Sequence, residues 1–234
     1  MPPVTSIAEA ITRMEAIDAS APASDGVACF NRMYLEVTQQ VDKDLGQQFF
    51  ADPAFMTRFD VAFANLYFDA VNAAAGQSAG PAAGQSMVPL AWRPLFERRG
   101  ETGIEPIQFA LAGMNAHINH DLPMAIVATC ADLATTPTAG THLADYQKVD
   151  GLLDAAEQSV RQSFESSTEL AVDRHLQAVE DLVCNWTINS ARDLAWGNAL
   201  LLWELRDDPF LRGLFLGNLA ASAALASRLL LVAV

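Results

Sequence analysis

Two imidazoles and a carboxylate fall within the short run His117 to Asp121 of EPIQFALAGMNAHINHDLP (105–123). Proton-transfer and metal sites are built from this combination of side chains. On a helix turning 100° per residue, His117, His120 and Asp121 occupy a sector of about 100°. Ala110, Gly113 and Met114 lie above them on nearly the same face, with Gln108, Asn115 and Asn119 opposite. Ile107, Leu111, Ile118 and Leu122 form an apolar stripe between the two polar sides. Such a helix is expected to be buried around most of its circumference, and buried polar groups require partners. Three uses of the cluster stay open. Asp121 can orient an imidazole that acts as general acid or base. One divalent metal (zinc, iron or manganese) can bind through His117, His120 or Asp121, together with Asp60. Or the three side chains can simply hydrogen-bond helix to helix. The small residues Ala110 and Gly113 suit an approaching group and close helix packing equally.

Asp60 belongs to FMTRFDVAFANLYFDA (55–70), where it shares a face with Met56, Phe63, Ala64 and Tyr67. An Asp on an apolar face needs a partner, and Tyr67 carries a phenolic donor on that face. Asp60 is therefore a candidate metal ligand, a carboxylate orienting a histidine, or a buried hydrogen bonder. In CNWTINSARDLAWGNALLLWEL (184–205), Asn185, Asn189, Arg192, Trp196 and Trp203 line one stripe. Arg192 suits a cation–π contact or a buried pair with an Asp. As a functional group it would hold a carboxylate or a developing oxyanion.

Other motifs are missing. No ExxH, HExxH, P-loop or GxGxxG pattern occurs. His142, in a Thr/Gly/Ala stretch, and His175, on an acidic helix, are expected to face solvent. Cys29, Cys130 and Cys184 sit in apolar helical runs, which suits buried, unreactive thiols.

The elements that must position these residues are read as helices throughout. Ser6, Asp25-Gly26, Asp52-Pro53, Glu105-Pro106 and Asp208-Pro209 supply starting signals. The helix carrying the histidines is expected to close before Pro123, with another over Met124 to Leu133 and a loop ending in a cap at Asp145. Further helices are read from Tyr146 to near Phe164 and from Thr168 to near Leu205. GQSAGPAAGQS reads as a flexible loop near 76–88. The fold class is all-α, a single domain over 1–234 with about eight or nine helices.

Composition narrows the function classes. Hydrophobic residues make up 51 % of the 234-residue chain and charged ones 18 %, ample for a core. With 28 Asp and Glu against 14 Lys and Arg, the net charge is −14, and no basic stripe is present for nucleic acid. Three widely spaced cysteines and a start without a signal-peptide pattern point to the cytoplasm. The apolar run 213–234 approaches a membrane span in length, but Asn218, Ser222, Ser227 and Arg228 interrupt it. It is read as a buried core helix, with no membrane partner.

Through FDVAFANLYFDA, QFALAGMNAHINHDLP and the later ARDLAW, residues 25–230 resemble a family of uncharacterised bacterial all-α proteins. The resemblance implies that the His-rich helix recurs as a unit, and it carries over no catalytic residue. The expected function is an enzyme acting on an apolar small molecule by cyclisation, isomerisation or elimination. His117 and His120 would move protons, Asp60 and Asp121 would orient them, and Tyr67 or Arg192 would polarise a carbonyl. The alternatives are a mononuclear metal-dependent hydrolase or oxygenase on the same cluster, and a small-molecule carrier without catalysis.

Overall fold

The capping chemistry written into the sequence starts the helices where it stands. Ser6 caps α1 (Ile7–Ser20), accepting from the Glu9 amide. Asp25 accepts from the Val27 and Ala28 amides at the head of α2 (Gly26–Gly46), and its other oxygen takes Arg99 Nε at 2.7 Å. Asp52 does the same for α3 (Pro53–Ala74), with Pro53 in the first turn where its missing N–H costs nothing. The short α4 (Arg93–Arg98) precedes α5 (Pro106–Ala116). α6 (Leu122–Asp132), α7 (His142–Lys148), α8 (Ile188–Glu204) and α9 (Pro209–Leu230) follow. These come from a computed structural model that describes residues 1–76, 88–151, 153 and 188–233. Among the described residues there are helices and connecting turns but no strands, so the chain is an all-α bundle.

The central element is not a helix that stops before Pro123. α5 continues through a π-helical turn, His117–Asp121, directly into α6. The Leu122 amide closes the turn on the carbonyl of His117, five residues back. Proline in an ordinary helix loses one hydrogen bond and pushes its ring against the carbonyl four residues earlier. The wide turn opens the helix just ahead of Pro123, so the chain passes through rather than ending. π turns of this kind occur mostly as single insertions, often at functional sites.

α2, α3, α8 and α9 pack around this continuous rod. Gly113 is what lets α2 approach α5: a Cβ there would overlap the Phe30 ring. Of the two uses the sequence left open for Gly113, close packing is the one the structure adopts. The opposite polar face of α5 holds α9. Asn115 Nδ2 donates to Ala223 O and Ser227 Oγ, while Gln108 Nε2 donates to Leu230 O and Val232 O.

Several expectations change. α9 is no buried core helix: Ala220, Ala223, Ala224, Ser227 and Leu230 face inward, while Phe210, Leu214, Leu225 and Leu229 are exposed. By length and composition α9 is apolar enough to cross a membrane. Its inner face, however, is tied through buried side-chain amides to α5. His142 does not face solvent; it is buried, with its ring stacked 3.9 Å from that of Phe55. Asp145 does not end a loop as a cap. It lies inside α7, where it accepts from Lys148 and Thr141 and from the Ala51 and Asp52 amides, at the entry to α3. The expected Gly-rich loop, apart from its two ends, lies outside the described residues. So do His175, Cys184, Asn185 and most of the expected helices between 146 and 187.

Candidate functional site

Asp121 is the hub of the site. Its Oδ2 accepts Trp92 Nε1–H at 2.8 Å and pairs with His117 Nδ1 at 3.0 Å. Its Oδ1 pairs with His120 Nδ1 at 2.6 Å. The π turn stacks His117 almost above Asp121 and leaves His120 beside it, so one buried carboxylate serves both imidazoles. Burial pushes the Asp121 carboxyl up, but the His117 and His120 hydrogen bonds and charges outweigh it and hold the group below the usual carboxylate range. An ionised Asp121 can only accept, so His117 carries its proton on Nδ1 and presents a bare lone pair at Nε2. Burial, against the pull of Asp121, holds the His117 imidazole below its ordinary pKa and so neutral near pH 7.

His117 Nε2 is buried and has no hydrogen-bond partner. The ring carrying it is fixed: Phe63 stacks on it with centroids 3.5 Å apart, and Tyr34 meets it edge-on at 4.7 Å. Phe30 and Trp92 close the wall behind. The ring lines a cavity of about 70 Å³ formed largely by Phe30, Tyr34, Phe59, Asp60, Phe63 and His117. That volume exceeds what one water needs several-fold and admits a small organic molecule.

Two further polar atoms of this cavity lack partners, Tyr34 Oη and Asp60 Oδ2. Buried unpaired polar groups each cost about 1–3 kcal/mol, so three in one small space call for an explanation. Burial, with a smaller push from Asp42, raises the Asp60 carboxyl to about 7, so both its forms are present at neutral pH. Burial also moves the Tyr34 phenol well above its ordinary value, and the negative charge of Asp60 is the next contributor. Thr38, whose hydroxyl donates to the Tyr34 carbonyl at 2.9 Å, tempers that shift.

Of the residues singled out from sequence, His117, His120 and Asp121 come together, and Asp60 joins His117 across the cavity. Tyr67 does not partner Asp60. It lies farther along α3, outside the cavity lining, and its hydroxyl donates to Asn31 Oδ1 at 3.2 Å. Arg192 reaches the cavity wall, but its Nε pairs with Asp150 at 2.6 Å and its Nη2 donates to Tyr146 O at 2.7 Å. Its guanidinium also lies 4.0 Å over the Tyr146 ring. These contacts make Arg192 a structural tie. Tyr34 and Trp92 were not singled out. Tyr34 had a signal, being the aromatic hydroxyl on the buried stripe Phe30, Tyr34, Thr38 and Val41 of α2; Trp92 had none.

Among the described residues no group of three or more His, Cys, Asp or Glu side chains is placed to hold an ion. The two described thiols are equally unavailable. Cys29 and Cys130 are buried and free, and burial pushes Cys130 up to about 11.

A family model described as a family of unknown function, DUF5995, matches residues 7–233. No curated protein and no solved structure matches the chain.

Proposed function

Because the chain belongs to DUF5995, a family whose function is unknown, we propose from the site itself that it is an acid–base enzyme acting on an apolar small molecule. The observation that carries this reading is His117 Nε2: buried and unpartnered, on a ring that lines an apolar cavity while Nδ1 is anchored on a carboxylate. A general base needs this tautomer and this orientation. On taking a proton, the imidazolium is stabilised by ionised Asp121 at 3.0 Å. Asp60, raised to about 7, supplies a carboxyl able to give a proton at the same pH. A base and an acid lining one apolar cavity suit isomerisation, where a proton leaves one atom and returns to another. Elimination and cyclisation use the same pair.

The test is solvent exchange. Protein incubated with a bacterial metabolite extract in D2O should place deuterium in one or a few apolar compounds, followed by mass spectrometry. His117→Gln should slow that incorporation by about a hundredfold or more, the scale of a general base. Incorporation unaffected by His117→Gln would overturn the reading. A carrier is the second reading, supported by the lining: apart from Tyr34, Asp60, His117 and Arg192, every lining side chain is hydrocarbon, aromatic or thioether. Native mass spectrometry showing a co-purified compound returned unchanged would favour it.

A further inference from the structure

The acid–base reading uses His117 Nε2 and the Asp60 carboxyl, but it gives no role to Tyr34 Oη and no reason for Tyr34 Oη and Asp60 Oδ2 to share the cavity. They come from different helices, α2 and α3, and both are buried. Other buried polar side chains of α2 find a backbone partner, as Asn31 does on Met14 O and Thr38 does on Tyr34 O. Here Tyr34 Oη and Asp60 Oδ2 have no hydrogen-bond partner, in a lining whose other unpartnered polar atom is His117 Nε2. Such a pair is matched by a ligand that brings one oxygen acceptor and little other polarity.

We propose, building on the acid–base reading, that the substrate is a neutral, largely apolar carbonyl compound, its oxygen held by Tyr34 Oη and the Asp60 carboxyl and its adjacent carbon facing His117 Nε2. The chemistry balances without any co-reactant. His117 Nε2 takes the proton from the carbon next to the carbonyl. The C–H electron pair becomes a C=C bond, and the carbonyl π pair moves onto oxygen, giving an enolate. Tyr34 and protonated Asp60 donate hydrogen bonds to that oxygen, within an apolar lining where they count heavily. His117 then returns its proton to the same carbon or to one conjugated with it, and the product is an isomer. A carboxyl kept neutral by an apolar site is suited to such a donor role, and the burial that raises Asp60 acts in that direction. A charged substrate is disfavoured, since the cavity wall offers no free cation: Arg192 is already tied to Asp150 and Tyr146.

A phenolate resembles an enolate in shape and charge, so 4-nitrophenol is the probe and nitrobenzene its control without the hydroxyl. Both binding constants are measured by calorimetry, and the absorbance of bound nitrophenol reports its ionisation. The expected result is binding of 4-nitrophenol at least tenfold tighter than nitrobenzene. Tyr34→Phe and Asp60→Asn should each reduce that preference about tenfold, the scale of one hydrogen bond to a charged oxygen. Retained nitrobenzene affinity shows that the variant cavity is folded. If wild-type protein binds the two compounds equally, or binds neither, the proposal is overturned, and no variant is needed to see it. If Tyr34→Phe and Asp60→Asn both keep the full preference, the oxygen site lies elsewhere and the proposal also fails. A phenol preference that depends on both residues, with no deuterium incorporation in the exchange experiment, would uphold this oxygen site and remove the enzymatic reading instead.

Discussion

The rings of His117 and Phe63 lie parallel, 3.5 Å apart and within 5° of coplanarity in tilt. This stack, with Asp121 held at the Nδ1 edge of the ring, fixes where Nε2 points. The position of α3 against the π turn therefore sets the direction of the proposed base. Phe63→Leu should keep the fold at a cost of about 1–2 kcal/mol, as a partly filled core cavity does. The ring protons of His117, shielded by the benzene face in the wild type, should move downfield in the NMR spectrum. Unmoved resonances would mean that the stack does not exist in solution.

Asp121→Asn keeps the shape of the hub and removes its charge. Three nitrogens that now meet a carboxylate would compete for one amide oxygen, and the amide's own N–H groups would face donors. The expected loss is about 3 kcal/mol of stability by urea unfolding. His117 should also lose its preference for carrying the proton on Nδ1, visible in ¹⁵N shifts of the ring. In wild-type protein Asp121, whose folded pKa is depressed, stabilises above pH 3.8, and that contribution fades as pH falls through its lowered value. His117 adds a second acid-sensitive contribution. Its folded pKa lies below 6.5, so stability falls as pH drops from 6.5 towards that lowered value.

Asp60 has the opposite sign. Its folded pKa is raised from 3.8 to about 7, so its contribution is complete below pH 3.8 and is lost as pH rises through 7. Asp60→Asn, which cannot ionise, should match wild type near pH 4 and exceed it near pH 8 by roughly 4 kcal/mol. Urea unfolding of both proteins at the two pH values checks this. A difference that does not change with pH would show that Asp60 has a partner in solution.

Gly113→Ala tests the seam between α2 and α5. The new Cβ would overlap the Phe30 ring, which itself contacts Tyr34, Trp92 and His117. We expect a loss of about 1–3 kcal/mol, the range for overpacking. The affinity for 4-nitrophenol should change too, because Phe30 forms part of the cavity wall. A variant as stable as wild type would show that Phe30 has room to move.

The helices were legible from sequence because their causes are local. Asp25, Asp52 and Asp208 cap the helices that follow them, and periodic apolar residues mark the buried stripes. The convergence of His117, His120 and Asp121 was legible for the same reason, since all three lie within one turn. Pro123 misled by the same local rule: ending the helix and widening it by one residue both relieve the ring's clash, and the turn adopted depends on what packs around it. Across helices the sequence is silent about pairing. Asp60 and Tyr67 share a face, yet Tyr67 found Asn31 on α2, and the site drew Tyr34 from that same helix instead. His142 looked exposed because its neighbours are small and polar, but Phe55 on α3 covers it. Local propensity and capping depend on residues a few positions apart, so the chain states them directly. Which polar atom is left unpaired in a cavity depends on the docking of α2, α3 and the central rod, and only the packed structure decides that.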